Sequence, residues 1–174
     1  GYHDLISLIS PIGLWDEIDL QRIVGEGISF ECDHPELPTD ERNLVVRALM
    51  LLQEKTGNRE GWRVRLRKRI PVGGGLGGGS SNAANVLLAA NRLLGNPLSK
   101  SQLYGLAAEI GSDCPFFLEG TSCVMRGRGE LTESVEESAQ KRLRGRKVAL
   151  FWPSFSISTS WAYSSLGNRT GAFS

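Results

Sequence analysis

The stretch Pro71-Val72-Gly73-Gly74-Gly75-Leu76-Gly77-Gly78-Gly79-Ser80-Ser81-Asn82-Ala83-Ala84 is not one that packing alone would demand. Glycine fills six of the seven positions from Gly73 to Gly79, with Leu76 the interruption. Glycine loses more backbone freedom on folding than any other residue, so such a run needs a compensating interaction. Close approach of backbone N–H groups to an anion supplies one, particularly when the loop feeds a helix whose positive end faces the same anion. Downstream, Ser80 and Ser81 are candidate caps, and Ala83, Val86, Leu87, Ala90, Leu93 and Leu94 recur at helical spacing until Gly95 and Pro97. The stretch reads as a phosphate-binding loop that opens a helix.

Three other readings of these glycines fail on their surroundings. A Walker A loop places Lys and then Ser or Thr after its last glycine, whereas Ser80, Ser81 and Asn82 follow here. Gly73, Gly75 and Gly78 satisfy the GxGxxG spacing, but a dinucleotide fold also uses an acidic residue about 20 positions on. No Asp or Glu occurs from Gly61 to Ala108. A flexible linker would be low in complexity on both sides, yet a strand pattern leads in and an apolar helix leads out.

The leading strand is the clearest periodic signal in the chain. Trp62, Val64, Leu66 and Ile70 alternate with Arg63, Arg65, Arg67 and Arg69, and Lys68 breaks the apolar set. Together with Arg59 these cations make the approach to the loop basic, as a site for an anionic ligand or simply as a solvated strand face. A net charge of +1 over 174 residues gives no global argument for nucleic acid or a membrane surface. Cys32, Cys114 and Cys123 are odd in number and lack zinc or disulfide-framework spacing, which points to a reducing compartment. No apolar run approaches the length of a membrane span, and the expected location is cytoplasmic.

The other elements are read from the same signals. The opening residues suggest a loop and short extended segments, with Leu5 to Ser10 resembling a strand buried on both faces. Arg22 to Phe30 reads as extended, and Asp33 to Pro38 as turns. A helix is predicted from Thr39 or Asp40 to Gly57, with Leu44, Val45, Ala48, Leu49, Leu51 and Leu52 inward. Ser99 and Gln102 form a capping box for a helix ending at Gly111. Asp113 then falls between Gly111 and Pro115, where regular structure is expected to stop, just before Phe116 and Phe117. Taken alone, an acid there is a turn or cap residue or a hydroxyl partner in catalysis. Glu133 to Arg146 is polar and expected to be exposed, and Lys147 to Trp152 has a strand pattern.

The proline, the Gly-Leu-Gly turn, Ser80-Ser81 and the small residues after them resemble the ATP loop of the GHMP kinases, the superfamily of galactokinase, homoserine kinase and mevalonate kinase. The extended form, Gly77-Gly78-Gly79-Ser80-Ser81-Asn82-Ala83-Ala84, resembles its diphosphocytidyl methylerythritol kinase branch, as does Gly1-Tyr2-His3-Asp4-Leu5 with the Trp15-Asp16-Glu17-Ile18 turn. The resemblance implies an α+β fold, that of a GHMP kinase N-terminal domain with sheet and helices in two layers. It implies ATP and Mg²⁺ as cofactors and a small-molecule alcohol as substrate. Gly73, Gly74, Gly75, Leu76, Gly77, Gly78, Gly79, Ser80 and Ser81 would hold the phosphates, with Asn43 beside the adenine and Lys68 over the nucleotide. Ser80 or Ser81 could offer the metal a hydroxyl.

Ile110 to Gly120 resembles the motif carrying the catalytic aspartate of these kinases, which implies that role for Asp113. Ser112 and Cys114 depart from its small residues. Arg126 to Glu130 resembles a hairpin of the family. Tyr2 and Tyr163 are implied to sandwich a cytosine, His3 to meet its polar edge, and Thr159 to approach the substrate. The resemblance further implies a lysine-bearing strand upstream of Gly1 and a second domain beyond Ser174. Residues 1–152 are thus expected to be an N-terminal domain without its first strand, and 153–174 the start of a second domain. Competing readings are a non-catalytic nucleotide-binding module, which has no use for Asp113, and a kinase for homoserine or mevalonate, which has no base for Tyr2, His3 and Tyr163. RNA binding through Arg63 to Arg69 would need interleaved aromatics, and Trp62 is the only one near.

Overall fold

The computed structural model describes residues 5–127, 131–151, 161 and 165. Its centre is β4 (Gly61–Arg67), which lies between β2 (Glu17–Ile23), antiparallel to it, and β3 (Ile28–Cys32), parallel to it. The two-residue period of β4 sends Trp62, Val64 and Leu66 into the core and Arg63, Arg65 and Arg67 to solvent. Helices α1 (Leu44–Thr56) and α2 (Gly78–Leu93) cover the inner face and α3 (Lys100–Ile110) packs against both of them, with Leu49, Leu52, Leu87 and Trp62 fully buried.

The outer face of β4 settles the meaning of the basic run. Glu17 pairs in register with Arg67 and Glu31 with Arg65, and ion pairs of 3.4 and 3.2 Å join them. The arginines at 65 and 67 therefore form a solvated, acid-matched strand face rather than a bare cationic surface. Arg22, on β2, clasps Glu60 and donates from Nη1 to the Leu93 carbonyl at 3.1 Å, which places a cation on the C-terminal end of α2.

A second, smaller sheet has the order β1 (Leu5–Ile9), β5 (Cys123–Gly127), β6 (Leu131–Ser134), antiparallel throughout. Strands β5 and β6 pair antiparallel up to Arg126 and Leu131, and the turn expected over Arg126 to Glu130 falls partly on residues 128–130, which lie outside the described set. Cys123 and Met125 pack on Phe116 with Ile9 and Phe117, linking this sheet to the short helix α4 (Cys114–Glu119). Helix α5 (Glu137–Leu143) buries no residue, as the polar composition of 133–146 leads one to expect.

Several expectations are corrected. Strand β1 is not buried on both faces, since Ile6 is 74% and Leu8 56% exposed. Only Ile9 packs inward among its apolar residues whose exposure is described, because the helices cover the other sheet. The extended stretch read as Arg22 to Phe30 is two strands on opposite sides of β4, and Glu17 already belongs to β2. Helix α1 begins at Leu44, several residues later than the pattern suggested. Asp40 bonds the backbone N–H and guanidinium of Arg42, and this local turn competes with the helix. Structure does continue past Asp113, as α4, with Pro115 in its first turn. Residues 147–151 form no strand, and Val148, Leu150 and Phe151 stand exposed; alternation without a neighbouring strand does not make a ladder. Leu93 is also exposed, at the outer edge of the helical stripe.

Candidate functional site

The glycine loop leaves the end of β4 and enters α2 without a side-chain cap. Gly77 is the N-cap, in the left-handed region at φ +66°, so Ser80 and Ser81 sit inside the first turn rather than capping it. A serine cap would occupy the very N–H groups that an anion needs. Left-handed glycines recur at Gly73 (φ +75°) and Gly75 (φ +66°), but Gly77 and Gly78 are the crowded positions. A Cβ on Gly77 would lie 2.7 Å from the Phe117 ring, and one on Gly78 would lie 2.9 Å from Ile70 and 3.1 Å from Lys68 Nζ. The start of α2 is thus seated tightly against Phe117 of α4 and against Lys68 and Ile70, just past the end of β4.

This loop is a wall shared by two clefts of about 420 Å³ each. One is bordered by Asn43, Leu44, Lys68, Ser80 and all of Gly73–Gly79. The other is largely apolar, with Ile12, Leu14, Trp15, Phe116 and Phe117, and receives Ser81 and Asn85 from α2. Gly75, Leu76, Gly77 and Asp113 border both. Asp113 precedes α4 but its side chain caps nothing there, and its exposed carboxylate has no hydrogen-bond or ion-pair partner among the described residues. A side-chain carboxyl is therefore free at the junction of the clefts, beside the open end of α2.

The flanking residues are more tightly held. Asn43 is 8% exposed and its amide is committed, accepting from the Val45 N–H at 3.0 Å and donating to the Pro38 carbonyl at 2.9 Å. It caps α1 while bordering the first cleft. The Cys114 thiol near Ser80 is buried, and burial pushes its pKa up to about 11. Lys68 Nζ is 2.6 Å from Asp16 Oδ2, and this pair is 7% and 0% exposed. Burial acts to raise the Asp16 pKa, but hydrogen bonds from Lys68, the Arg69 and Ile70 amides and Asn82 outweigh it and hold the carboxyl below its usual range.

The structure brings together the predicted loop, Asn43, Lys68 and Asp113. Tyr2, His3, Thr159 and Tyr163 lie outside the described residues. Sequence reasoning quoted Asp16 and Asn82 only within resembling motifs and gave neither a role. Asn82 carried a usable signal, being a polar residue on the stripe of Val86 and Ala90, where it is 5% exposed. Asp16 was visible only as part of the Trp15-Asp16-Glu17-Ile18 turn of the resemblance, because an acid ahead of a strand is by itself commonplace. Among the described residues, no group of three or more His, Cys, Asp or Glu could hold a metal, and no helix is long and apolar enough to cross a membrane.

Comparison with known proteins agrees with this geometry. Residues 43–121 match the family described as GHMP kinases N terminal domain. The chain is 40% identical over 164 residues to a 4-diphosphocytidyl-2-C-methyl-D-erythritol kinase of Methylacidiphilum infernorum, covering 94% of this chain and 55% of the relative. A protein of the same name from Prochlorococcus marinus is 43% identical over 164 residues, covering 94% and 50%. Among solved structures, a 4-(cytidine 5'-diphospho)-2C-methyl-D-erythritol kinase superposes with a TM-score of 0.68 at 40% identity, covering 78% of this chain and 47% of the other. The chain spans about half the length of the curated relatives it matches. In sequence over residues 43–121 and in fold over 78% of its length, with its glycine loop walled between two clefts, the chain is similar to the N-terminal domain of the GHMP kinases.

Proposed function

We propose that the protein containing this chain transfers the γ-phosphoryl group of ATP to the 2-hydroxyl of 4-diphosphocytidyl-2-C-methyl-D-erythritol, a step of isoprenoid-precursor synthesis carried out in the cytoplasm. The observation that carries this reading is the single wall between the clefts, with Asp113 free at their junction. Phosphoryl transfer asks the protein mainly for positioning and charge stabilisation. Backbone N–H groups at the start of α2 and the helix dipole would hold the phosphates on the Asn43 and Lys68 side. The acceptor would lie on the Trp15 and Phe117 side, its hydroxyl hydrogen-bonded to Asp113, which takes the proton as the oxygen attacks phosphorus and ADP departs.

A Mg²⁺ ion, when bound, would neutralise phosphate charge. The residues fit an ion held mostly by phosphate and water, since Asp113 and the Ser80 and Ser81 hydroxyls are oxygens available nearby and no dedicated cage of acids is present among the described residues. Tyr2, His3, Thr159 and Tyr163 are proposed to bind the cytidyl group, and 153–174 to begin a second domain. Nucleic acid is not a partner in this reading.

The test is ADP release by the full-length protein, offered ATP with the cytidyl substrate or with homoserine or mevalonate. Turnover is expected with the cytidyl substrate alone. Asp113→Asn should lower kcat by about 10²–10⁴-fold while leaving ADP affinity within about threefold. Turnover of a control substrate would overturn the acceptor assignment, and ADP binding without any turnover would replace the enzyme reading with a binding module.

A further inference from the structure

The carboxylate of Asp16 is wholly buried, and each of its oxygens takes two hydrogen bonds. Oδ1 accepts from the Arg69 N–H at 2.7 Å and the Ile70 N–H at 2.8 Å. Oδ2 accepts from Lys68 Nζ at 2.6 Å and Asn82 Nδ2 at 2.8 Å. The acceptor capacity of an ionised carboxylate is thereby filled. Three segments meet at this one group: the approach to β2, the exit of β4 that delivers the glycine loop, and the first turns of α2 that receive it.

The charge arrangement is as specific as the hydrogen bonding. Lys68 Nζ lies 3.1 Å from the point a Cβ on Gly78 would occupy, so a buried ammonium sits against the positive end of α2. A cation is disfavoured there unless an anion accompanies it. Asp16 supplies that anion from behind the loop, leaving the cleft side of α2 open for another.

We propose that Asp16 is a positioning residue of the phosphate site, fixing the Lys68 ammonium and the first turn of α2 where nucleotide phosphates are received; this rests on the reading that the loop binds ATP. It touches no substrate itself and acts through Lys68 and Asn82. Asparagine in its place would keep the shape, and with Oδ1 on the two backbone amides it would turn an NH₂ group toward two other donors. Exchanging the two side chains, Asp16→Asn with Asn82→Asp, returns a carboxylate to the same contact.

The experiment uses the full-length protein and follows Mg-ADP binding by calorimetry and steady-state kinetics, at a temperature where each variant's near-ultraviolet dichroism is that of the wild type. Asp16→Asn is expected to weaken ADP binding and raise the KM for ATP by about tenfold or more, with kcat reduced less than threefold. The exchange D16N/N82D should recover at least half of that loss on a logarithmic scale. Unchanged ADP affinity in folded Asp16→Asn, with only a lowered Tm, overturns the proposal in favour of a purely structural role. Should that variant not fold, Asn82→Ala, which removes one donor, decides the matter: a threefold or larger loss of ADP affinity is expected, and no loss overturns it. A wild-type protein that binds no ADP defeats the phosphate-loop reading itself, and the proposal falls with it.

Discussion

Gly77 and Gly78 are neighbours with different constraints. Gly77 combines a left-handed backbone with a phenylalanine ring 2.7 Å from any added Cβ, while the neighbours of Gly78 are the Ile70 side chain and the tip of Lys68. Gly77→Ala should cost roughly 2–4 kcal/mol of stability, adding backbone strain to overpacking, and should be the more damaging of the two in a denaturant titration. Gly78→Ala carries no left-handed backbone strain, so only crowding against Ile70 and the Lys68 tip opposes it. At Asp16 the sign of the pH effect follows from its depressed pKa. The stability it contributes is complete above the usual value of 3.8 and is lost as pH falls through the lower folded value. Wild type should therefore lose more stability than Asp16→Asn as pH drops from 5 toward 2.5, measured by urea midpoints. Residues in direct local patterns, such as the glycines, were legible in the sequence, whereas Asp16 gains its meaning from partners 52 to 66 positions away.

The helices differ in how their ends are made. Helix α3 has both halves of its capping box, the Ser99 side chain accepting from the Gln102 N–H and the Gln102 side chain from the Ser99 N–H at 2.9 Å. Helix α2 has no side-chain cap and lies at the site. Ser99→Ala should cost about 1 kcal/mol, seen as a lowered denaturant midpoint with ADP affinity unchanged. The period of β4, the helical stripe of α2 and the capping box were all readable, because each is a short-range pattern with one dominant solution. The split of Arg22–Phe30 into two strands was not, since the strand that lies between them comes later in the chain. At 147–151 the pattern is present without a strand to pair with among the described residues, which the pattern itself could not reveal.

Across the molecule the two sheets are treated unequally. Helices cover the inner face of the β2–β4–β3 sheet, and charge pairs line its outer one, but the β1–β5–β6 sheet presents Ile6, Leu8 and Leu131 outward, with β1 at its edge among the described strands. An edge strand with exposed apolar side chains is a template for association. The 174-residue chain by itself should bind a hydrophobic dye and elute at a concentration-dependent size, and Leu8→Lys should reduce both. Gel filtration at two concentrations checks this, and a monodisperse monomer at both would refute it.

The wall between the two clefts has a further consequence for how occupants affect one another. Ligands that press on the same few loop residues from opposite sides are placed to influence one another, and whatever factor one applies to the other's affinity must be returned in equal measure. A single compound reaching across Gly75–Gly77 would hold its second half at a high effective concentration once the first was seated, and could bind more tightly than either half alone.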